Sequence, residues 1–299
     1  MKMRKSNRQS AFDIGFDVVS TLLLIIALLI VLYPLYFVLI ASISDANSIS
    51  LGKVILLPKN IDFVGYRRIL QDNRIMNGYV NSILYTVAST VIGTMTTILA
   101  GYSFSRTDLV GRKALMMVYV FTMYFSGGLI PTYMVVKDVG LLGSPWAVIL
   151  MGAISVYNII IARSFFSSSI PVDLYEAAQL DGCSNGRFFI SIVVPLSKSI
   201  IAVIALYYAV AQWNGYFNAL IYLSKQNQYP LQMVLREILL SSQSVQADVT
   251  DVDAIQEMQR IAATIKYGVI VVASLPMLML YPFIQKYFVK GVMIGSVKG

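Results

Sequence analysis

Apolar positions along the chain gather into six long runs, near residues 17–41, 78–103, 113–136, 145–165, 197–223 and 264–285, with shorter polar stretches between them. A helix needs about 20 apolar residues to cross a hydrocarbon core of about 30 Å, and each run reaches that length. The pattern predicts an all-α, polytopic membrane domain over residues 17–290, with six transmembrane helices, preceded by a polar N-terminus at 1–16 and followed by a tail at 291–299. Pro34, Pro131 and Pro276 fall within or near the ends of runs. Membrane helices accept such breaks where neighbours satisfy the freed carbonyls. The first run is longer than the apolar core of a cleavable signal, about 7–15 residues, and is read as an uncleaved span.

Composition agrees. Of the 299 residues 57% are hydrophobic and 13% charged, with mean hydropathy +0.71, whereas a soluble domain carries about 25% charged residues. The net charge of +8 is explained by basic residues retained in cytoplasmic loops, so no nucleic-acid partner is expected. Lys2, Arg4, Lys5 and Arg8 at the N-terminus and the tight Arg106 to Lys113 turn place the N-terminus inside, and six spans return the C-terminus to the same side. The outer segments are then 42–77, 137–144 and 224–263. Asp248, Asp251, Asp253 and Glu257 in the last of these lack the glycine and terminal glutamate of a calcium loop and read as a solvated or partner-facing stretch.

Chemistry is limited by what is missing. The chain has no histidine and one cysteine, Cys183, which removes the commonest general base, the Ser-His nucleophile, any internal disulfide and most zinc sites. No P-loop pattern occurs, so energy from ATP must arrive through another subunit. The expectation is a non-enzymatic chain without cofactor or metal of its own. An ion-coupled secondary transporter of a small polar solute is the alternative. That mechanism generally needs an ionisable group deep in the membrane, and here Arg163 and Lys266 lie near span ends, where they can snorkel.

The most informative polar segment lies between the fourth and fifth runs, at 166–196. Pro171 suits a first helical turn, where its missing N–H would be unpaired anyway. Asp173 and Glu176 near that end suit the helix dipole, and Asp181-Gly182 ends the helix, glycine accepting the left-handed conformation. Ser184 caps a second short helix running to Pro195. Leu174, Ala177, Ala178 and Asp181 share one side by three- and four-residue spacing. The two alanines let another surface approach closely, and Glu176 offers a carboxylate for an arginine partner.

Glu176-Ala177-Ala178, three residues, Gly182, nine residues, then Ile192-Val193-Val194-Pro195 resembles the signature loop of the membrane subunits of bacterial ABC importers. The pattern is met at Glu176, Ala177, Ala178, Gly182, Ile192 and Pro195, departing at Val194, where leucine is usual. The ending Gly291-Val-Met-Ile-Gly295-Ser-Val-Lys298-Gly299 is similar to the tail of maltose-permease-like carbohydrate importers, although its composition also fits a disordered tail. The stretches from Phe125 to Tyr133, Gln212 to Asn218, Tyr229 to Arg236 and Tyr281 to Lys290 look like a subgroup linked to oligosaccharides released from complex polysaccharides or glycans.

The resemblance implies a type I importer permease fold in the bacterial cell membrane, surrounded by lipid. It also implies a second homologous permease subunit, two ATPase subunits that bind ATP and magnesium, and an extracellular solute-binding protein that delivers an oligosaccharide. Leu174, Glu176, Ala177, Ala178, Asp181, Gly182, Ile192 and Pro195 would then form the coupling element seated in the ATPase, and Gly295, Lys298 and Gly299 would reach between the ATPase subunits. Sugars are held by aromatic faces with amides around them. Tyr157, Asn158, Gln212, Trp213, Asn214 and Asn218, with Tyr216, are the residues for such a path. The same amides also read as glue between helices. Tyr207, Tyr208 and Tyr222 read as packing or interface residues.

Overall fold

The computed structural model describes residues 11–244 and 265–280, with Pro282 and Gln285. Among the described residues there is no strand, only one isolated bridge between Ser44 and Ile61. The helices in chain order are α1 (Ala11–Ser42), α2 (Ala46–Ser50), α3 (Val64–Gln71), α4 (Asn73–Ser105), α5 (Arg112–Tyr124), α6 (Leu129–Asp138), α7 (Pro145–Met151) and α8 (Val156–Ser169). They continue as α9 (Val172–Leu180), α10 (Asn185–Phe188), α11 (Val194–Leu196), α12 (Lys198–Asn214), α13 (Phe217–Tyr222), α14 (Leu231–Ser244) and α15 (Ile265–Leu280).

Two of these, α1 over Phe12–Ser42 and α4, are single helices long and apolar enough to cross a membrane. Three further runs are helix pairs bent at short breaks: α5 with α6 by 114°, α7 with α8 by 45°, and Asn185–Leu196 with α12 by 80°. The expected span at 113–136 is therefore two helices. Its break falls at Ser126-Gly127-Gly128, with Gly128 at φ +88°, a conformation that suits glycine. Ser126 Oγ accepts from the Gly128 amide at 3.2 Å, and Thr132 donates to the Gly128 carbonyl at 2.7 Å. The run at 145–165 bends at Gly152 to Ser155, and that at 197–223 stops at Gly215 before α13.

The described residues form two compact units. One holds the chain up to Gln71 together with Leu239–Val272. In it α1 exposes large apolar side chains from Phe12 to Leu39, as a lipid-facing helix does. Its end is anchored by Tyr66, whose hydroxyl donates to Ser42 Oγ at 2.8 Å, and by Phe37 edge-on to Tyr267 at 5.8 Å. Asp45 caps α2, its carboxylate accepting from the Ser48 amide at 3.2 Å.

The other unit is Asp72–Ile238 with the chain from Ala273, and α4 is its axis. Small residues on one stripe, Ser82, Ser89, Gly93, Thr97 and Gly101, are buried, the pattern that lets membrane helices approach closely. A Cβ at Gly93 would lie 2.8 Å from the Ala153 carbonyl oxygen, and one at Gly101 2.5 Å from Ala162 Cβ. Thr97 Oγ1 lies 2.6 Å from the Tyr208 hydroxyl, which also accepts from the Ser155 amide at 3.0 Å, so α4, α8 and α12 are pinned at one point. Below that point Ile98, Ala162, Phe166, Phe188, Val193, Ile200 and Ile204 form a buried core. Tyr208 and Tyr222 are buried, the latter stacked with Tyr133, as packing residues should be.

Candidate functional site

The loop between α8 and α12 is organised by its two ends. Pro171 takes φ −61° and ψ 144° as the residue just before α9, one position earlier than a first-turn proline. At the other end Asp181 is followed by Gly182 at φ +73°. The Cys183 amide donates to the Ala178 carbonyl and the Gly182 amide to the Gln179 carbonyl, both at 2.9 Å. This is a complete Schellman termination, with Cys183 and Ala178 packed into the same core. Ser184 Oγ accepts from the Arg187 amide at 3.4 Å and starts α10.

The second helix runs past its expected stop. Between α10 and α11 the chain makes a π-turn over Phe189–Val193, with the Val194 amide reaching back to the Phe189 carbonyl. This widening just before Pro195 accommodates a residue with no amide proton. The helix ends at Leu196 and bends into α12 at Ser197.

These terminations set the faces of α9. Glu176, Ala177, Asp181 and Gly182 are exposed, and Leu174 is 36% exposed. Ala178 turns inward onto Phe166 and Phe188, so it serves the packing of the loop, while Ala177 alone offers a small side chain outward. Ile192 packs partly against the same core, and Pro195 is exposed. Sequence reasoning missed Leu180, which is 91% exposed at the tip of the helix. The signal was available: a leucine among polar neighbours at a helix end with no apolar residue beside it.

It also missed what lies behind α9. A cavity of ≈ 450 Å³ separates α9 from the ends of α4 and α8, and Arg106, Arg112 and Arg163 line it with Asp108, Tyr175 and Glu176. Arg106 grips Asp108 with two hydrogen bonds, Nε to Oδ1 at 2.9 Å and Nη2 to Oδ2 at 2.8 Å. Its Cζ stands 3.3 Å from the centre of the Tyr175 ring. The hydrogen bonds to Asp108 hold the Arg106 guanidinium above its ordinary range, and the same bonds hold the Asp108 carboxyl below its own. Arg112 Nη1 donates to the carbonyls of Ser105 at 3.3 Å and Arg106 at 3.0 Å, and Arg163 Nε to that of Phe104 at 3.3 Å. Both cations therefore complement the carbonyl end of α4.

The sugar-path residues do not form one surface. Trp213 is buried, its Nε1 donating to the Ala273 carbonyl at 3.0 Å and its ring edge-on to Tyr79 at 5.7 Å. Asn158 is buried too, whereas Tyr157 is 60% exposed. Asn214 is exposed and donates to the Val210 carbonyl of its own helix at 2.9 Å. Gln212 and Asn218 are half-buried, with Gln212 Oε1 2.8 Å from where a Cβ at Gly152 would sit. Trp213 and Asn158 are thus both enclosed within this chain's own packing. The hydroxyls of Thr86, Ser89, Thr90 and Thr94 are buried on α4 without a hydrogen-bond partner among the described residues. Gly295, Lys298 and Gly299, and the acidic stretch from Asp248 to Glu257, lie outside the described residues. Among the described residues no cluster of histidine, cysteine or carboxylates is arranged to hold a metal.

Comparison with known proteins gives a consistent answer. The family described as "Binding-protein-dependent transport system inner membrane component" matches residues 76–294. The chain is 42% identical over 284 residues to the polygalacturonan/rhamnogalacturonan transport system permease protein YtcP of Bacillus subtilis (strain 168), covering 95% of this chain and 98% of that one. It is 38% identical to Protein LplC of the same organism, over 95% of each chain. Among solved structures, a bacterial ABC transporter involved in the import of the acidic polysaccharide alginate superposes with a TM-score of 0.85 at 32% identity, covering 95% of this chain and 100% of that one.

Proposed function

Because the chain belongs to the binding-protein-dependent transport system inner membrane components, as a permease subunit of a carbohydrate ABC importer, we propose that it moves an oligosaccharide fragment of an acidic polysaccharide inward across the cell membrane. The substrate class rests on the names of two neighbours, one a polygalacturonan and rhamnogalacturonan permease, the other an alginate importer. In this family the ATPase is a separate subunit, and the chain is not an enzyme. In our reading a binding protein delivers the sugar to a passage between this chain and a homologous permease. Two ATPase subunits, holding ATP and magnesium, close on each other and carry the coupling loops with them. Lining of that passage by Tyr157, Asn158, Gln212, Trp213, Asn214 and Asn218 is part of the same proposal. So are contact of Gly295, Lys298 and Gly299 with the ATPases and the arrangement of six spans with both termini inside.

The observation that carries the coupling role is the outward face of α9. Leu180, Leu174 and Ala177 give an apolar surface exposed among the described residues, and Glu176 stands beside it. An interface core of this kind is apolar with a charged rim, and a carboxylate there fits an arginine of the ATPase. Replacing Glu176 with lysine reverses that charge at an exposed position that also borders the arginine-lined cavity behind the helix. We expect Glu176→Lys to insert and assemble normally and to lose transport. Uptake at the wild-type rate by an assembled Glu176→Lys complex would remove the coupling role.

A further inference from the structure

We propose that Arg106 is a positioning residue that clamps the coupling loop to the cytoplasmic end of α4, so that displacement of α9 reaches the end of α4 through this side chain in addition to the apolar core the two helices share. The proposal rests on the coupling role of α9 just given and adds the route by which a push on that helix travels.

The backbone alone gives a poor route. α9 joins α8 through Ile170 and Pro171, both extended, and joins α10 through the left-handed Gly182. Each junction is a break in helical hydrogen bonding, where a rigid element can pivot. α4 is not a covalent neighbour of α9, yet it is the long axis packed along both α8 and α12, and it ends at Arg106. Force on α9 must cross to it by side chains.

Arg106 supplies that crossing and is held still on its own side. Asp108 holds one edge of the guanidinium through Nε and Nη2, and the Arg106 Cζ lies 3.3 Å from the centre of the Tyr175 ring on α9. Tyr175 in turn donates to Asn185 Oδ1 on α10 at 2.7 Å, and its hydroxyl accepts from Gln179 Nε2. Its ring meets Phe188 edge-on at 5.3 Å. One cation at the end of α4 therefore touches the middle of the coupling helix and, through Tyr175, the helix that follows. A lysine does not reproduce the contact, because it has neither a flat face to stack nor two parallel donors for a carboxylate. The arginines lining the adjoining cavity each have a partner within this chain, which makes the cavity a joint around the clamp rather than a vacant anion site.

The test uses the full transporter complex in membranes and follows hydrogen exchange in α9 and in the last turn of α4, with the ATPases free and then trapped with ATP and vanadate. In the wild type, trapping changes exchange in both segments. Arg106→Ala and Tyr175→Leu are expected to keep the α9 response and to shrink the α4 response about tenfold, the scale of one desolvated cation–π contact. Their combination should do no more than either alone. Tyr175→Phe, which keeps the ring, should stay within about twofold of wild type, and Arg106→Lys should not rescue. A full α4 response in Arg106→Ala, or additive effects in the double variant, overturns the clamp. If Arg106→Ala does not assemble, Tyr175→Leu decides alone. If α9 of the wild type does not respond to trapping, the coupling role fails, and the clamp with it.

Discussion

Gly101 marks the tightest approach among the described glycines, where a Cβ would stand 2.5 Å from Ala162 Cβ and 3.1 Å from the Arg163 amide nitrogen. Neither neighbour is a flexible side-chain end, so Gly101→Val must separate α4 from α8. Overpacking of this kind costs about 1–3 kcal/mol. The expected outcome is a lower thermal unfolding midpoint for the purified transporter complex, with Gly186→Ala as the control, since nothing lies within 4 Å of a Cβ there. An unshifted midpoint for Gly101→Val would refute the close packing. At this scale the sequence was legible where a residue type admits one explanation. Gly182 after Asp181 announced a helix end, and the end is there. It was not legible where two faces share a motif, since three- and four-residue spacing put Ala178 beside Ala177 and Leu174. Only packing reveals that Ala178 faces Phe188 while Leu180, outside that set, stands in the open.

Elements were legible as runs of apolar residues but not as directions. Counting residues gives the length of a helix, and the 113–136 run is long enough to span, yet Gly127 and Gly128 let it turn by 114°. The π-turn before Pro195 was hidden for a related reason. A proline predicts an interruption, whereas widening of the hydrogen bonds depends on how Phe188 and Val193 pack beneath it. One contact that joins three elements involves a tyrosine, read from sequence as a packing or interface residue, whose hydroxyl does the joining. Tyr208 ties Thr97 on α4 to the Ser155 amide at the start of α8. Removing that oxygen leaves a buried hydroxyl and an amide short of a partner, at a cost of about 1–3 kcal/mol. Tyr208→Phe should therefore lower the unfolding midpoint measurably while keeping the ring packing. A Tyr208→Phe protein as stable as wild type would mean that water replaces the bond.

For the whole molecule, orientation is the property that ties the coupling loop to its motor, because ATP is available on one side of the membrane. The chain offers a direct probe of it. Cys183 is the single cysteine in 299 residues, it is partly exposed, and it follows Gly182 at the end of α9, the surface proposed to meet the ATPase. A membrane-impermeant maleimide added to intact cells should therefore leave the chain unlabelled, and the same reagent added to inside-out vesicles should label it. The Cys183→Ser chain serves as the blank. Stripping the ATPase from such vesicles should raise the labelling rate, and returning it should lower that rate again, by about tenfold if the seated loop is as shielded as an interface core. Labelling from outside would invert the orientation and detach the loop from any ATP-driven partner. Labelling from inside that ignores the ATPase would keep the orientation and move the docking surface away from α9.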